Sequence, residues 1–167
     1  MAQICCVALL GKENNPLFLR TFAGQRAASA ATPAEHDSMF QLIVNAAIDH
    51  VETKVNAQRT AAQSMGGGGK LESYLGFLYP INGMRVYGYV TNTKLKFVAV
   101  LDDEEVKESD MRAFFRRVHS LYADTVANPF HTPDTELHAC ATFQRQIGRI
   151  VEAGLFPAGV RVGSGGV

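Results

Sequence analysis

"YPINGMRVYGYVTNTKLKFVAVL", residues 79–101, holds two turn signals, Asn82-Gly83 and Asn92-Thr93, set among β-branched and aromatic residues. Asn-Gly supplies the two positive backbone angles of a type I′ turn, whose twist matches that of the strands it joins. The spacing predicts a strand over 74–81, a second over 85–91 and a third over 94–101: a three-stranded antiparallel meander. In the third strand Leu95, Phe97, Ala99 and Leu101 share one face, with Lys96, Val98 and Val100 on the other. Valines at 98 and 100 on the nominally outer face require that face to be covered, either by helices or by a partner protein.

Upstream, Ile4–Leu10 and Leu17–Phe22 are short apolar runs separated by "GKENNP", the pattern of an antiparallel hairpin. Joined to the meander, this hairpin gives a five-stranded antiparallel sheet. Thr32, Pro33 and Glu35 form an N-terminal helix signal. Phe40, Val44, Ala47, Val51 and Val55 then recur at helical spacing, which predicts a helix of about 25 residues with that stripe on the sheet. Met39, Leu42, Ile43 and Ala46 widen the apolar surface, so this helix is either broadly buried or carries a second, partner-binding side. Downstream, Met111, Phe114, Phe115, Val118, Leu121, Tyr122, Thr125 and Val126 mark a helix capped by Ser109 or Asp110 and stopped at Asn128-Pro129. A last helix is expected over 133–153, with Leu137, Cys140, Ala141, Phe143, Ile147, Ile150 and Val151 inward. One domain over residues 1–153 and a flexible tail over 154–167 is the expected organisation.

Composition excludes several classes. Sixteen Lys and Arg balance sixteen Asp and Glu among 167 residues, so no overall field attracts nucleic acid or an anionic membrane. No apolar run approaches the roughly 18 residues a membrane span requires. The N-terminal "MAQICCVALLGKENN" lacks the basic start and cleavage site of a signal peptide and reads as a strand. Three cysteines, Cys5 and Cys6 adjacent and Cys140 remote, give neither a disulfide framework nor zinc spacing, which fits a reducing cytoplasm. In a strand, Cys5 and Cys6 are expected on opposite faces.

Chemistry-bearing patterns are weak. "SMGGGGKLE" has glycines before a lysine, but a helix precedes it and Leu71 stands where a P-loop needs a hydroxyl, so it reads as a connector. Histidines 36, 50, 119, 131 and 138 form no helical pair for zinc; His119 reads as a packed helix residue and His131 with His138 as a poor metal pair. Asp102 to Glu105 read as a solvated loop, and Arg112, Arg116 and Arg117 fall short of the about four to eight basic residues that lipid binding takes. Asn128-Pro129-Phe130 reads as a helix stop with an anchoring aromatic rather than an exposed docking peptide. Neither a catalytic centre, a metal nor a cofactor is expected.

"LGFLYPINGMRVYGYVTNTKLKFVAVLD", "MRAFFRRVHSLYADTVANPFHTP" and "KENNPLFLR" together resemble the sedlin family of TRAPP vesicle-tethering subunits, in its subunit 2-like branch. The resemblance implies a longin-like (SNARE-like) α+β fold in the order β-β-α-β-β-β-α-α, with helices on both faces of a five-stranded antiparallel sheet. The residue patterns above give the same order. It further implies a non-catalytic subunit whose partners are other TRAPP subunits, acting in ER-to-Golgi and Golgi transport. A Rab-type GTPase is reached only through the whole complex, and membranes only peripherally. Within "AIDHVE" it points to Asp49 as a subunit contact. Leu42, Ala46, Asp49, Val98 and Val100 are therefore the expected interaction residues. A free-standing longin-type domain that binds a SNARE or small GTPase directly is the alternative.

Overall fold

A computed structural model of the protein describes residues 3–22, 33–67, 71–102, 106–130 and 140–152. The chain runs β1 (Ile4–Leu10), β2 (Pro16–Thr21), α1 (Pro33–Ser64), β3 (Tyr74–Ile81), β4 (Met84–Val90), β5 (Lys96–Asp102), α2 (Glu108–Ala127) and α3 (Ala141–Glu152). The strands form one antiparallel sheet in the order β2-β1-β5-β4-β3, which joins the N-terminal hairpin to the meander through β1 and β5. This is the α+β, longin-like architecture expected.

The meander's turns follow their residues. Asn82 and Gly83 have φ of 49° and 71°, the paired positive angles of a type I′ turn. The second turn is longer: the Thr91 N–H donates to the Leu95 carbonyl, and Lys94 sits in the left-handed region at φ 65°. Strand alternation sends Phe97, Ala99 and Leu101 into one core and Val98 and Val100 into the other.

The first core lies beneath α2 and α3 and is rich in rings, including Phe18, Tyr89, Phe97, Phe114, Phe115 and Phe143. The second lies beneath α1 and is built mainly from small and aliphatic residues, among them Ala8, Val44, Ala47, Val51, Val86 and Val98. The α1 stripe is as the spacing predicts, with Phe40, Val44, Ala47 and Val51 buried, but the helix runs for 32 residues. It stops where Gly67 N–H reaches the Ala62 carbonyl and Gly66 N–H the Gln63 carbonyl, with Gly66 at φ 84°. That is a Schellman stop, which needs a residue free of the Cβ penalty at the left-handed position.

Four expectations are corrected. Val98 and Val100, taken as interaction residues, are both 0% exposed beneath α1. The helix, not a partner, covers that face. Cys5 and Cys6 do not face opposite sides. Ile4 pairs with Leu101 and Cys6 with Val100, so Cys5 is the extra residue of a β-bulge, and both thiols join the α1-side core. Burial pushes the Cys5 thiol up to about 11, with Asp102 adding to the rise, and raises Cys6 further. Ser109 and Asp110 do not cap α2. Its N-cap is Lys107, which makes no side-chain cap bond, and both residues lie inside the first turn. Ala141 is exposed at the start of α3, while Phe143 and Ile147 carry that helix's contact with the core. The Thr32 cap, Leu137 and the proposed tail lie outside the described residues.

Candidate protein-interaction surface

Because α1 spends only one stripe on the core, its back is available. Leu42, Ala46 and Asp49 follow one another at steps of four and three, which places them on a single face turned from the sheet. All three are exposed, Leu42 at 70%. An exposed leucine is common in itself. Here it is flanked by a small residue and a carboxylate on a rigid helix, a geometry in which one apolar anchor can enter a partner's pocket beside a polar contact. The hydroxyls along the same side are turned inward: Thr53 donates to the Asp49 carbonyl at 2.8 Å and Thr60 to the Asn56 carbonyl at 3.0 Å. Those donors are satisfied within the helix, so docking a partner there leaves them paired.

The flank of α1 that faces β3 is pinned. His50 stacks on Tyr79 with centroids 4.4 Å apart, and the Tyr79 hydroxyl donates to the Ile43 carbonyl at 2.6 Å. Burial raises the Tyr79 pKa, which keeps this hydroxyl a donor. Lys54 donates to the carbonyls of Leu75 at 3.1 Å and Phe77 at 2.5 Å. β3 is an edge of the sheet. Occupying two of its carbonyls with a lysine blunts it against strand addition. As between the back of the helix and the edge of the sheet, this contact favours the helix as the docking element.

The other patterns singled out in the sequence disperse. His119 is half-buried, with Nδ1 3.2 Å from the Tyr89 hydroxyl and its ring against Phe97. His131, His138 and residues 103–105 lie outside the described residues. Asp102 serves the sheet: it accepts from the Gln3 N–H at 2.8 Å, and its own N–H donates back to the Gln3 carbonyl. Among the described residues, no three or more His, Cys, Asp or Glu converge as metal ligands do. Phe130 corrects an expectation. It does not anchor the end of α2 but stands 92% exposed, with its N–H donated to the Asn128 side chain at 3.0 Å.

Sequence reasoning passed over the contacts that fix α1, Lys54 on β3 and His50 on Tyr79. Each joins residues more than twenty positions apart, and nothing in local spacing marks them.

Comparison with known proteins places the chain. A family model described as Sedlin matches residues 9–153. The trafficking protein particle complex subunit 2-like protein of Dictyostelium discoideum is 37% identical over 140 residues, 83% of this chain and 90% of that protein. The protein of the same name from Rattus norvegicus is 36% identical over 138 residues, 81% of this chain and 88% of its own. Trafficking protein particle complex subunit 20 of Saccharomyces cerevisiae is 27% identical over 146 residues, 74% of this chain and 83% of its own. With the family model spanning most of its length and relatives this similar along both chains, the protein belongs to the sedlin family.

Proposed function

We propose that the protein is a non-catalytic subunit of a trafficking protein particle (TRAPP) complex, a vesicle tether acting between ER and Golgi and within the Golgi. The observation that carries this reading is its similarity, over more than four-fifths of its length, to proteins named as subunits 2-like of that complex. It works in the cytoplasm and meets membranes peripherally, through the assembly. Activation of a Rab-type GTPase belongs to the complex as a whole, and this subunit contributes by holding neighbours in place.

The contact is the outer face of α1. A helix of 32 residues is about 48 Å long at the usual rise, enough to lie along a neighbour and supply much of the roughly 800 Å² per partner of a standard interface. Leu42 is the anchor, Ala46 permits close approach, and Asp49 gives the polar contact that sets register.

The test is affinity purification of the native complex with Leu42→Arg or Asp49→Tyr. Co-purifying subunits should fall by about tenfold or more for an anchor residue. The circular dichroism and melting temperature of the variant should remain those of the wild type. Full recovery of the complex with both folded variants would overturn α1 as the contact.

A further inference from the structure

Four cations, Lys12, Arg59, Lys94 and Lys96, gather with the acids Glu52 and Glu72 at one end of the sheet, in a protein of zero formal net charge. There the β1–β2 and β4–β5 connections share one construction. Asn14 N–H donates to the Gly11 carbonyl as Lys94 N–H donates to that of Thr91, and each loop closes with a second backbone bond, Gly11 to Asn15 and Thr91 to Leu95. The two loops put Lys12 and Lys94 on the wall of a cleft of about 440 Å³, and α1 supplies Val51, Val55 and Arg59 opposite.

Lys96, at the head of β5, enters this cleft and is only 8% exposed. Its Nζ donates to Asn14 Oδ1, and Asn14 Nδ2 in turn donates to the Glu52 carboxylate at 3.4 Å. An ammonium has three donors. Among the described residues Asn14 takes one, which leaves two on a group more than nine-tenths buried. The immediate partner is a neutral amide, and the nearest acid stands behind it. Burial lowers the Lys96 pKa, Glu52 works against that and Lys94 with it, as expected of a cation under-compensated by its surroundings. Glu72, the other acid of the cleft, is engaged by Arg112 at 2.7 Å. Lys12, Arg59 and the Lys94 side chain have no ion pair among the described residues.

We propose that this cleft binds a phosphomonoester, with the phosphoryl oxygens on the unused donors of Lys96, among Lys12, Arg59 and Lys94, and a small organic body on the half-buried Val55 and Val90. A phosphate monoester carries about −1.5 to −2 at neutral pH, which matches several converging cations better than a single carboxylate does. The volume lies within the roughly 300–1,000 Å³ of small-molecule sites. The site lies off the outward face of α1, so it stands or falls separately from the subunit contact.

The experiment is a titration of the full-length, ¹⁵N-labelled protein with inorganic phosphate at constant ionic strength, with chloride as the reference anion. Saturable shifts are expected at the amides of Asn14, Thr91 and Lys94. Lys96→Met should weaken binding by about tenfold or more, the cost of a charge-assisted hydrogen bond. Arg59→Gln, at an exposed position that cannot unfold the protein, should weaken it by about threefold. Shifts that chloride reproduces, or that persist unchanged in Arg59→Gln and in folded Lys96→Met, overturn the proposal and leave Lys96 as a tie between β5 and α1. The carrier is read with phosphatidylcholine vesicles containing phosphatidylinositol 4-phosphate. Co-sedimentation lost in Arg59→Gln assigns the phosphate to a lipid headgroup, and phosphate binding without co-sedimentation assigns it to a soluble metabolite.

Discussion

The two faces of the sheet are built by opposite means. Beneath α2 and α3 the core is a lattice of rings: Tyr89 stacks on Phe115 with centroids 5.6 Å apart, Phe97 meets Tyr89 and Tyr122, and Phe18 meets Phe143 edge-on at 5.1 Å. Two helices share that load and cover each other's sides. Beneath α1 the contacts are mostly valine, alanine and cysteine, and among the described residues α1 alone closes the face. Small residues let that helix lie close to the strands, and with no second helix beside it among the described residues, its back faces outward. The face with the plainer core is thus the one whose covering helix keeps an exposed back, with Leu42, Ala46 and Asp49 on it.

Adjacent residues of β5 test this difference most directly. Phe97→Ala should destabilise the fold by about 3–5 kcal/mol in denaturant unfolding, since it empties the centre of the ring lattice. Val98→Ala, one residue along and facing α1, should cost about 2 kcal/mol, because it removes two buried methyl groups and leaves a smaller cavity. Equal losses would mean that the two cores are equivalent after all.

Lys54→Met should cost about 1–2 kcal/mol by leaving two edge carbonyls of β3 without their donor. Light scattering should detect more self-association, because the edge becomes available to another strand. A monodisperse variant would show that Lys54 is not what guards that edge.

High pH should weaken both faces. Burial raises Cys5, on the α1 side, from 9.0 to about 11. On the other side burial and neighbouring Glu108 raise Tyr74 from 10.0 to about 12, against the cation of Arg112 over its ring. In each case the folded state holds its proton more tightly than the unfolded chain does. The stability this gives is complete below pH 9 and is lost as pH rises through about 11 for the thiol and about 12 for the phenol. Melting temperature between pH 8.5 and 11.5 should therefore fall, and Tyr74→Phe should flatten the upper part of that decline.

The smallest stability effect belongs to the outer face of α1. Leu42→Arg should change unfolding free energy by less than about 0.5 kcal/mol, as substitutions at exposed positions do. If it instead destabilises the isolated protein, Leu42 supports the fold and the outer face loses its anchor.

Much of this was legible in the residues. Asn82-Gly83 set the hairpin, period-two alternation assigned Phe97 and Val98 to opposite faces, and the stripe from Phe40 to Val55 placed α1 on the sheet. Of the five expected interaction residues, the three on α1 emerge on one exposed face and the two valines do not. Val98 and Val100 were ambiguous because an apolar strand face looks the same under a helix as under a partner. Cys5 and Cys6 were misplaced because a bulge is a mismatch between two strands, invisible in either one alone.

The sequence alone determined what depends on neighbours along the chain: the turns, the strand alternation, the helical stripe and the family motifs. Tertiary structure decided which face α1 covers, that Lys54 and His50 pin it to β3, and that Lys96 lies buried behind Asn14. The physical reason is range. Backbone angles and periodicity are set within a few residues, whereas covering a face or burying a charge depends on groups that only the completed sheet brings together.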